Sequence, residues 1–165
     1  MDRRVIGLLA AGGILVVVVA VILIGRSGGD SGDSTTTKAD IEVPNGPTVK
    51  LPTGSPPTQL QVKDLKTGTG AEAKAGDQVS VQYIGVLYDN GNKFDASYDR
   101  GQPFSFKLGG GQVIPGWDQG VAGMKVGGRR ELIIPPDLAY GAQGQPPTIP
   151  PNATLVFVID LVSVG

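Results

Sequence analysis

One carboxylate, that of Asp95, lies within a set of four short sequence runs that are rich in aromatic residues. From Tyr83 to Trp117 the sequence contains Tyr-Ile-Gly-Val-Leu, Gly-Asn-Lys-Phe-Asp-Ala-Ser, Arg-Gly-Gln-Pro-Phe-Ser-Phe and Gln-Val-Ile-Pro-Gly-Trp. All nine aromatic residues of the chain fall between Tyr83 and Phe157. Aromatic side chains around a single carboxylate predict a small pocket for an apolar ligand, in the C-terminal two-thirds of the chain.

The composition excludes several kinds of chemistry. The 165 residues include no cysteine and no histidine, which excludes a disulfide framework, the usual zinc sites and Ser-His or Cys-His nucleophile pairs. We therefore expect no metal and no cofactor. The formal net charge is -1, and lysine and arginine are scattered along the chain, so a nucleic acid partner is not expected either.

Short alternating runs predict the elements that must position the pocket. Strands with polar and apolar residues in alternation are expected near 61–65, 78–84, 104–108, 131–134 and 154–162. Turns are expected at 89–92, 109–111 and 146–147. One helix is expected over 115–124, because proline stands in its first turn and Trp117 and Val121 share a face. This pattern predicts an α+β domain, a strongly twisted antiparallel sheet with one buried face wrapped around one short helix, over residues 59–165.

The first 26 residues contain an apolar run typical of a membrane segment. Residues 5–25 carry no charge and are flanked by Arg3, Arg4 and Arg26. As a helix this run would be about 32 Å long, against about 30 Å for the hydrocarbon core of a bilayer. The two readings are an uncleaved transmembrane signal anchor and a cleaved signal peptide. In the first, the positive charges place the N-terminus in the cytoplasm and the domain outside. In the second, the domain is secreted.

Residues 27–58 have a different composition, rich in glycine, serine and threonine and then in proline. The segment contains no aromatic residue and few large apolar side chains. Such a segment buries too little to offset its ordering entropy. We expect a disordered linker, flexible in its first half and stiffer in its proline-rich half, that holds the domain away from the bilayer.

From about Leu60 to Gly165 the chain resembles a known family in unbroken order. The motifs are Val-Gln-Tyr-Ile-Gly-Val-Leu, Gly-Asn-Lys-Phe-Asp-Ala-Ser, Pro-Phe-Ser-Phe-Lys-Leu-Gly, Val-Ile-Pro-Gly-Trp-Asp-Gln-Gly-Val, Gly-Gly-Arg-Arg-Glu-Leu-Ile-Ile-Pro-Pro, Ala-Tyr-Gly and Ile-Pro-Pro-Asn-Ala-Thr-Leu-Val-Phe. They closely resemble the FKBP-type peptidyl-prolyl cis-trans isomerases, the receptors of macrolide immunosuppressants such as rapamycin. The N-terminal segment would make this a bacterial member that is membrane-anchored or exported.

The resemblance implies a set of site residues. The catalytic residues would be Tyr83, Phe94, Asp95 and Tyr140. The substrate-binding residues would be Arg100, Phe104, Val113, Ile114, Trp117, Ile149 and Phe157. Trp117 would form the floor of the pocket, and Tyr140 and the backbone N–H of Ile114 would hold substrate carbonyls. The chain departs from some well-known members at 144–148, Gly-Gln-Pro-Pro-Thr, in a loop that touches the residue before proline.

The resemblance also implies an activity, which leaves two competing classes open. We expect a monomeric prolyl isomerase that acts on proline-containing polypeptide clients outside the cytoplasm and is inhibited by rapamycin-type macrolides. The competing reading is a non-catalytic binding module or chaperone that holds proline-containing segments in the same pocket. A purely structural domain would have no reason to keep Asp95 among aromatic side chains.

Overall fold

The computed structural model describes residues 39–165, which belong to one compact unit. It contains six strands, two short α-helices and one 3-10 turn at Pro136–Leu138. In chain order the elements are β1 Gln61–Lys66, β2 Gln78–Leu87, β3 Lys93–Ala96, α1 Ser97–Arg100, β4 Phe104–Lys107, α2 Pro115–Gly120, β5 Arg129–Ile134 and β6 Leu155–Val164.

The six strands form a single antiparallel sheet. Its order is β1-β5-β6-β2-β3, and β4 pairs with the first half of β2. β2 and β6 are the long central strands, of ten residues each, and they pair at nine positions. Because all the pairings are antiparallel and the helices are short, the predicted α+β class and the FKBP-like sheet are confirmed.

The inner face of the sheet carries the larger core, and α2 lies against it. Trp117 and Val121 of the α2 region are buried there, as the four-residue spacing predicts. Two glycines allow α2 to come close to β5: an added Cβ at Gly116 would lie 2.5 Å from Ile134 and one at Gly120 would lie 2.6 Å from Leu132. The predicted helix over 115–124 is too long, because the helix ends at Gly120.

The outer face of the sheet is also covered, contrary to the prediction of one buried face. Residues 41–55, which we call the strap, pack across it. Ile41 and Val49 exchange two backbone hydrogen bonds of 2.8 and 2.9 Å, and Val49 is fully buried. The cluster beneath the strap consists of Ile84, Val86, Tyr88, Ala96, Ile133, Val156 and Val158.

The prediction of an extended spacer is therefore wrong for the strap. Its four apolar residues, Ile41, Val43, Val49 and Leu51, pack on a sheet face that is itself apolar, and this burial offsets the ordering of the segment. The folded unit accordingly begins before residue 59. The glycine-rich half of the predicted linker, 27–38, lies outside the described residues.

The predicted membrane segment, 5–25, also lies outside the described residues. Within residues 39–165 there is no helix of the length and hydropathy needed to cross a bilayer. The transmembrane helix is thus a prediction from the sequence that the described fold does not support.

Candidate functional site

Tyr83, Trp117 and Phe157 form the buried base of the aromatic site. β2 and β6 pair in register, so Tyr83 and Phe157 come from adjacent strands of the inner face, and Trp117 comes from α2. The Trp117 ring meets Tyr83 and Phe157 edge to face, with centroids 4.9 and 5.2 Å apart. Edge-to-face pairs at these distances are the favoured aromatic geometry, so the base is well packed.

Phe94 and Phe104 are half-buried and complete the aromatic wall. Phe94, on β3, meets Phe157 edge to face at 5.5 Å, and Phe104, on β4, meets Trp117 at 6.1 Å. The indole N–H of Trp117 is buried and hydrogen-bonds to no residue between 39 and 165. The wall is therefore apolar, with one unpaired donor at its base.

Gly85 allows the wall to form. It lies on β2 opposite Phe157 of β6 and opposite Asp95 of β3. A Cβ at this position would be 2.6 Å from Phe157 and 2.6 Å from Phe94. Only the absence of a side chain lets the two rings lie against the backbone of β2.

Asp95 is the centre of a hydrogen-bonded triangle at the edge of the wall. The Tyr83 hydroxyl donates to Asp95 Oδ2. Arg100, at the end of α1, donates from Nη1 to Asp95 Oδ1 at 2.6 Å and from Nη2 to the Tyr83 hydroxyl at 2.9 Å. The guanidinium also lies 5.6 Å from the centroid of the Tyr83 ring. Three side chains from β2, β3 and α1 are thus held in one arrangement.

Burial raises the pKa of both site tyrosines. For Tyr83, burial and then the hydrogen bond to Asp95 raise the pKa above its ordinary value. For Tyr140, burial is again the main cause of a raised pKa, and the charge of Asp95 adds to it. Both hydroxyls therefore act as neutral hydrogen-bond donors at physiological pH.

Two donors at the site have no partner within the described part of the chain. The backbone N–H of Ile114 and the hydroxyl of Tyr140 donate to no residue between 39 and 165. Both residues pack, half-buried, against the inner core, as does Val113. These donors are available to the carbonyl groups of a bound peptide.

The loop that leads to Val113 and Ile114 is fixed by α2. The carboxylate of Asp118 accepts the backbone N–H groups of Gly109, at 2.8 Å, and Gly111, at 3.1 Å. Both glycines have positive φ, 74° and 69°, so the loop has a backbone that other residues rarely adopt. Asp118 therefore ties the loop to the helix that carries Trp117.

Ile149 differs from the other predicted binding residues, because it is only 2% exposed and belongs to the core. It exchanges two backbone hydrogen bonds with Gln145, of 2.8 and 2.9 Å. These bonds close the 144–148 loop, which departs from some family members. Ile149 anchors this loop and presents little surface to a ligand.

The structure thus brings the predicted residues together, although their roles in binding and catalysis remain predictions. Direct contacts join Tyr83, Phe94, Asp95, Arg100, Phe104, Trp117 and Phe157. Sequence reasoning missed Gly85 and Asp118, both of which lie inside motifs that it quoted. Within residues 39–165 there is no group of three or more acidic side chains placed to hold a metal ion.

Comparison with known proteins agrees with this geometry. Residues 70–162 match the family model described as FKBP-type peptidyl-prolyl cis-trans isomerase. The chain is 58% identical over 119 residues to a protein named FK506-binding protein from Streptomyces anulatus, covering 72% of this chain and 96% of that one. It is 49% identical over 117 residues to a probable FK506-binding protein from Corynebacterium glutamicum, covering 71% and 97%.

Solved structures show the same fold. The crystal structure of FkpA from Escherichia coli matches with a TM-score of 0.59 and 50% identity, covering 65% of this chain and 48% of that one. The crystal structure of AtFKBP13 matches with a TM-score of 0.61 and 40% identity, covering 67% and 96%. With its aromatic site, the paired carboxylate of Asp95 at the edge of that site and these matches, the chain belongs to the FKBP-type peptidyl-prolyl cis-trans isomerase family.

Proposed function

We propose that the chain accelerates rotation of X-Pro peptide bonds by non-covalent stabilisation of a twisted amide. The observation that carries this is the combination of an apolar aromatic wall with two unused donors, the Ile114 N–H and the Tyr140 hydroxyl. An apolar wall accommodates a proline ring, and the two donors can hydrogen-bond to the carbonyl oxygens on either side of it.

The physics of the reaction suits such a site. Rotation about a peptide bond has a barrier of about 18–20 kcal/mol because resonance is lost on twisting. The perpendicular amide is less dipolar than the planar one, so an apolar environment stabilises it relative to the planar ground state. About 5–7 kcal/mol of such differential stabilisation gives roughly four to five decades in rate. No nucleophile is required, which agrees with the absence of cysteine and histidine.

The triangle around Asp95 has an orienting role in this proposal. Its carboxylate accepts from both Tyr83 and Arg100, so it fixes the ring that forms part of the base. Asp95 also stays close enough to Tyr140 for its charge to affect that hydroxyl. Both carboxylate oxygens of Asp95 are thus already engaged, Oδ2 by Tyr83 and Oδ1 by Arg100, so we assign Asp95 to orientation of the wall.

The test measures cis-trans exchange of an Ala-Pro tetrapeptide by NMR with the purified full chain. Acceleration that is abolished by rapamycin or FK506 supports the proposal. Trp117→Leu should remove most of the acceleration, whereas Val62→Ala, on the exposed β1 edge, should leave it unchanged. A folded chain that binds the macrolide without accelerating exchange is a binding module, and this result would refute the enzymatic mechanism.

We further propose that the domain works outside the cytoplasmic membrane on exported or cell-surface proteins. The support is the uncharged run of 5–25, with Arg3 and Arg4 before it, which the positive-inside tendency orients with the N-terminus in the cytoplasm. An uncleaved anchor gives a membrane-bound enzyme, and cleavage gives a secreted one. Protease added to spheroplasts should digest the domain, and the mass of the recovered chain shows whether the segment is cleaved. Protection of the domain in intact spheroplasts would refute this location.

The remaining partners follow from the family and its named relatives. Relatives are named for binding FK506, and we propose that this chain binds FK506 and rapamycin in the same aromatic site. The 144–148 loop would tune that affinity. We also propose a monomer, which light scattering at micromolar concentration checks directly.

A further inference from the structure

Helix α1 is too short to hold its own position. It consists of the four residues Ser97–Arg100 and ends at Gly101, whose N–H bonds to the Tyr98 carbonyl at 3.3 Å. A single helical turn is unstable on its own, because nucleation fixes several dihedral angles for one hydrogen bond. Arg100, the residue that contacts Asp95 and Tyr83, therefore depends on whatever anchors this turn.

The first anchor is Ser97, which is fully buried. Its hydroxyl accepts the backbone N–H of Tyr83 at 2.7 Å and donates to the side chain of Gln82 at 2.5 Å. The start of α1 is thereby attached to β2, at the strand position that carries the site tyrosine. This anchor lies three residues before Arg100. Later in the turn, Asp99 accepts from Lys93 Nζ on β3 at 2.6 Å, but both side chains are exposed and such a pair holds the turn weakly.

The second anchor is Tyr98, on the outer side of the sheet. Its hydroxyl donates to Asp160 Oδ2 on β6. Asp160 is held in turn by a bidentate salt bridge from Arg129 on β5, with Nε–Oδ1 at 2.6 Å and Nη2–Oδ2 at 2.8 Å. Such a fork fixes the direction of the carboxylate. Asp160 stands opposite Gln82 in the sheet, so adjacent strands hold successive residues of α1.

The strap covers this second anchor. The Tyr98 ring packs against the outer cluster, beside Val43 and Val49. A Cβ at Gly46 would lie 3.1 Å from the Tyr98 ring, so the strap backbone lies almost in contact with it. The ring is thus held from above by the strap while its hydroxyl is held by Asp160.

We propose that Tyr98 is a positioning residue of the site: held by Asp160 and the strap, it fixes α1 and thereby fixes Arg100 against Asp95 and Tyr83. The inference rests on the proposed isomerase function and adds a residue on the far face of the sheet to it. Tyr98 does not contact the aromatic wall. It acts through the backbone of α1 alone.

The test uses the full chain with Tyr98→Phe, which keeps the ring under the strap and removes only the hydroxyl. kcat/KM for peptide exchange should fall by about fivefold, the scale of one lost hydrogen bond. In an Arg100→Ala background the same change should lower kcat/KM by less than about twofold, because Tyr98 would have no guanidinium left to position. The matched control is Tyr88→Phe, which removes the hydroxyl of another buried tyrosine on the outer face. That hydroxyl lies beside the backbone carbonyls of Thr53 to Ser55 in the strap, away from α1, so the change should leave kcat/KM unchanged.

A second readout separates this inference from the proposed function. In the wild-type chain, contacts from both Nη atoms should restrict rotation of the Arg100 guanidinium and give separate N–H signals by NMR; in Tyr98→Phe these signals should merge. An inactive wild-type chain would refute the isomerase proposal, and the guanidinium signals would then decide the positioning role. Equal losses in both backgrounds, or guanidinium signals unchanged by Tyr98→Phe, would overturn it.

Discussion

The Gly85→Ala substitution is the most direct test of how the backbone shapes the site. The new methyl group would lie 2.6 Å from a ring carbon of Phe157 and 2.6 Å from one of Phe94. Ordinary contact between such atoms begins at 3.4 Å, so the atoms must separate by about 0.8 Å. One small substitution therefore pushes on two walls of the pocket at once.

The two rings do not yield equally. Phe157 is 4% exposed and packed edge to face against Trp117, whereas Phe94 is half-buried at the rim. Phe94 therefore moves, and the wall on that side of the pocket opens. Extra methyl groups in packed sites usually cost about 1–3 kcal/mol of unfolding free energy. We expect a Tm lower by about 4–12 °C and, with the wall displaced, a kcat/KM lower by at least about tenfold.

The assay compares variant and wild type by urea denaturation and by peptide exchange. Gly165→Ala is the control, since the nearest atom to an added Cβ, the Gln78 carbonyl oxygen, is 3.8 Å away and its φ is not in the left-handed region. It should leave both stability and kcat/KM close to wild type. A crystal structure of Gly85→Ala should show the displaced Phe94 ring directly.

The refuting outcome is a loss of stability without a loss of activity. That result would mean that the aromatic wall tolerates displacement, and that catalysis depends on the donors rather than on the shape of the apolar surface. Unchanged stability would show instead that β2 can shift without strain, which would contradict the close approach.

Three further predictions concern the strap, the loop and the pH dependence of stability. Val49→Ala, at a fully buried strap position, should lower the unfolding free energy by about 1–3 kcal/mol, measured by urea denaturation, while Val62→Ala, 47% exposed on β1, should change it by less than about 0.5 kcal/mol. Asp118→Ala should free the 109–111 loop and raise KM for peptide more than it lowers kcat, because two backbone donors lose their acceptor. The pKa of Tyr83 is raised in the folded chain, so its contribution to stability is complete below pH 10, the ordinary tyrosine pKa. That contribution is lost as the pH rises from 10 toward the higher pKa of the folded chain. The urea midpoint should fall above pH 10, and it should fall less in Tyr83→Phe.

The sequence predicted the members of the site better than the elements that hold them. Alternation along 78–84 predicted the strand that carries Tyr83, and the motifs that resemble the family identified the rest of the wall. The segment that carries Phe94, Asp95 and Arg100 was not predicted as structure. It comprises β3 and α1, four residues each, which are too short to show a periodic pattern.

Gly85 was missed for a different reason. A glycine in a strand interior ordinarily weakens the strand, and nothing in its immediate neighbours shows which side chains approach it. Phe94 is nine residues away along the chain and Phe157 is 72, so the need for glycine appears only once β2, β3 and β6 are paired. Close approaches between distant residues depend on the register of the paired strands, which a single sequence does not show.

The strap shows how the same limit affects a whole segment. Ile41, Val43, Val49 and Leu51 are sparse among prolines and glycines, so the segment alone cannot form a core. Its apolar residues become structural because β2 and β6 present apolar outer faces through Ile84, Val86, Val156 and Val158. A sheet with polar outer residues would have left the same strap in solvent. In β2 the outer face begins with polar residues and becomes apolar only at Ile84 and Val86, where the strap crosses it. The alternation of polar and apolar residues in the first part of the strand therefore predicted only one buried face. A domain that began at residue 59, as the composition suggests, would therefore lack the packed strap. It would also expose the ring of Tyr98, which we infer to position Arg100.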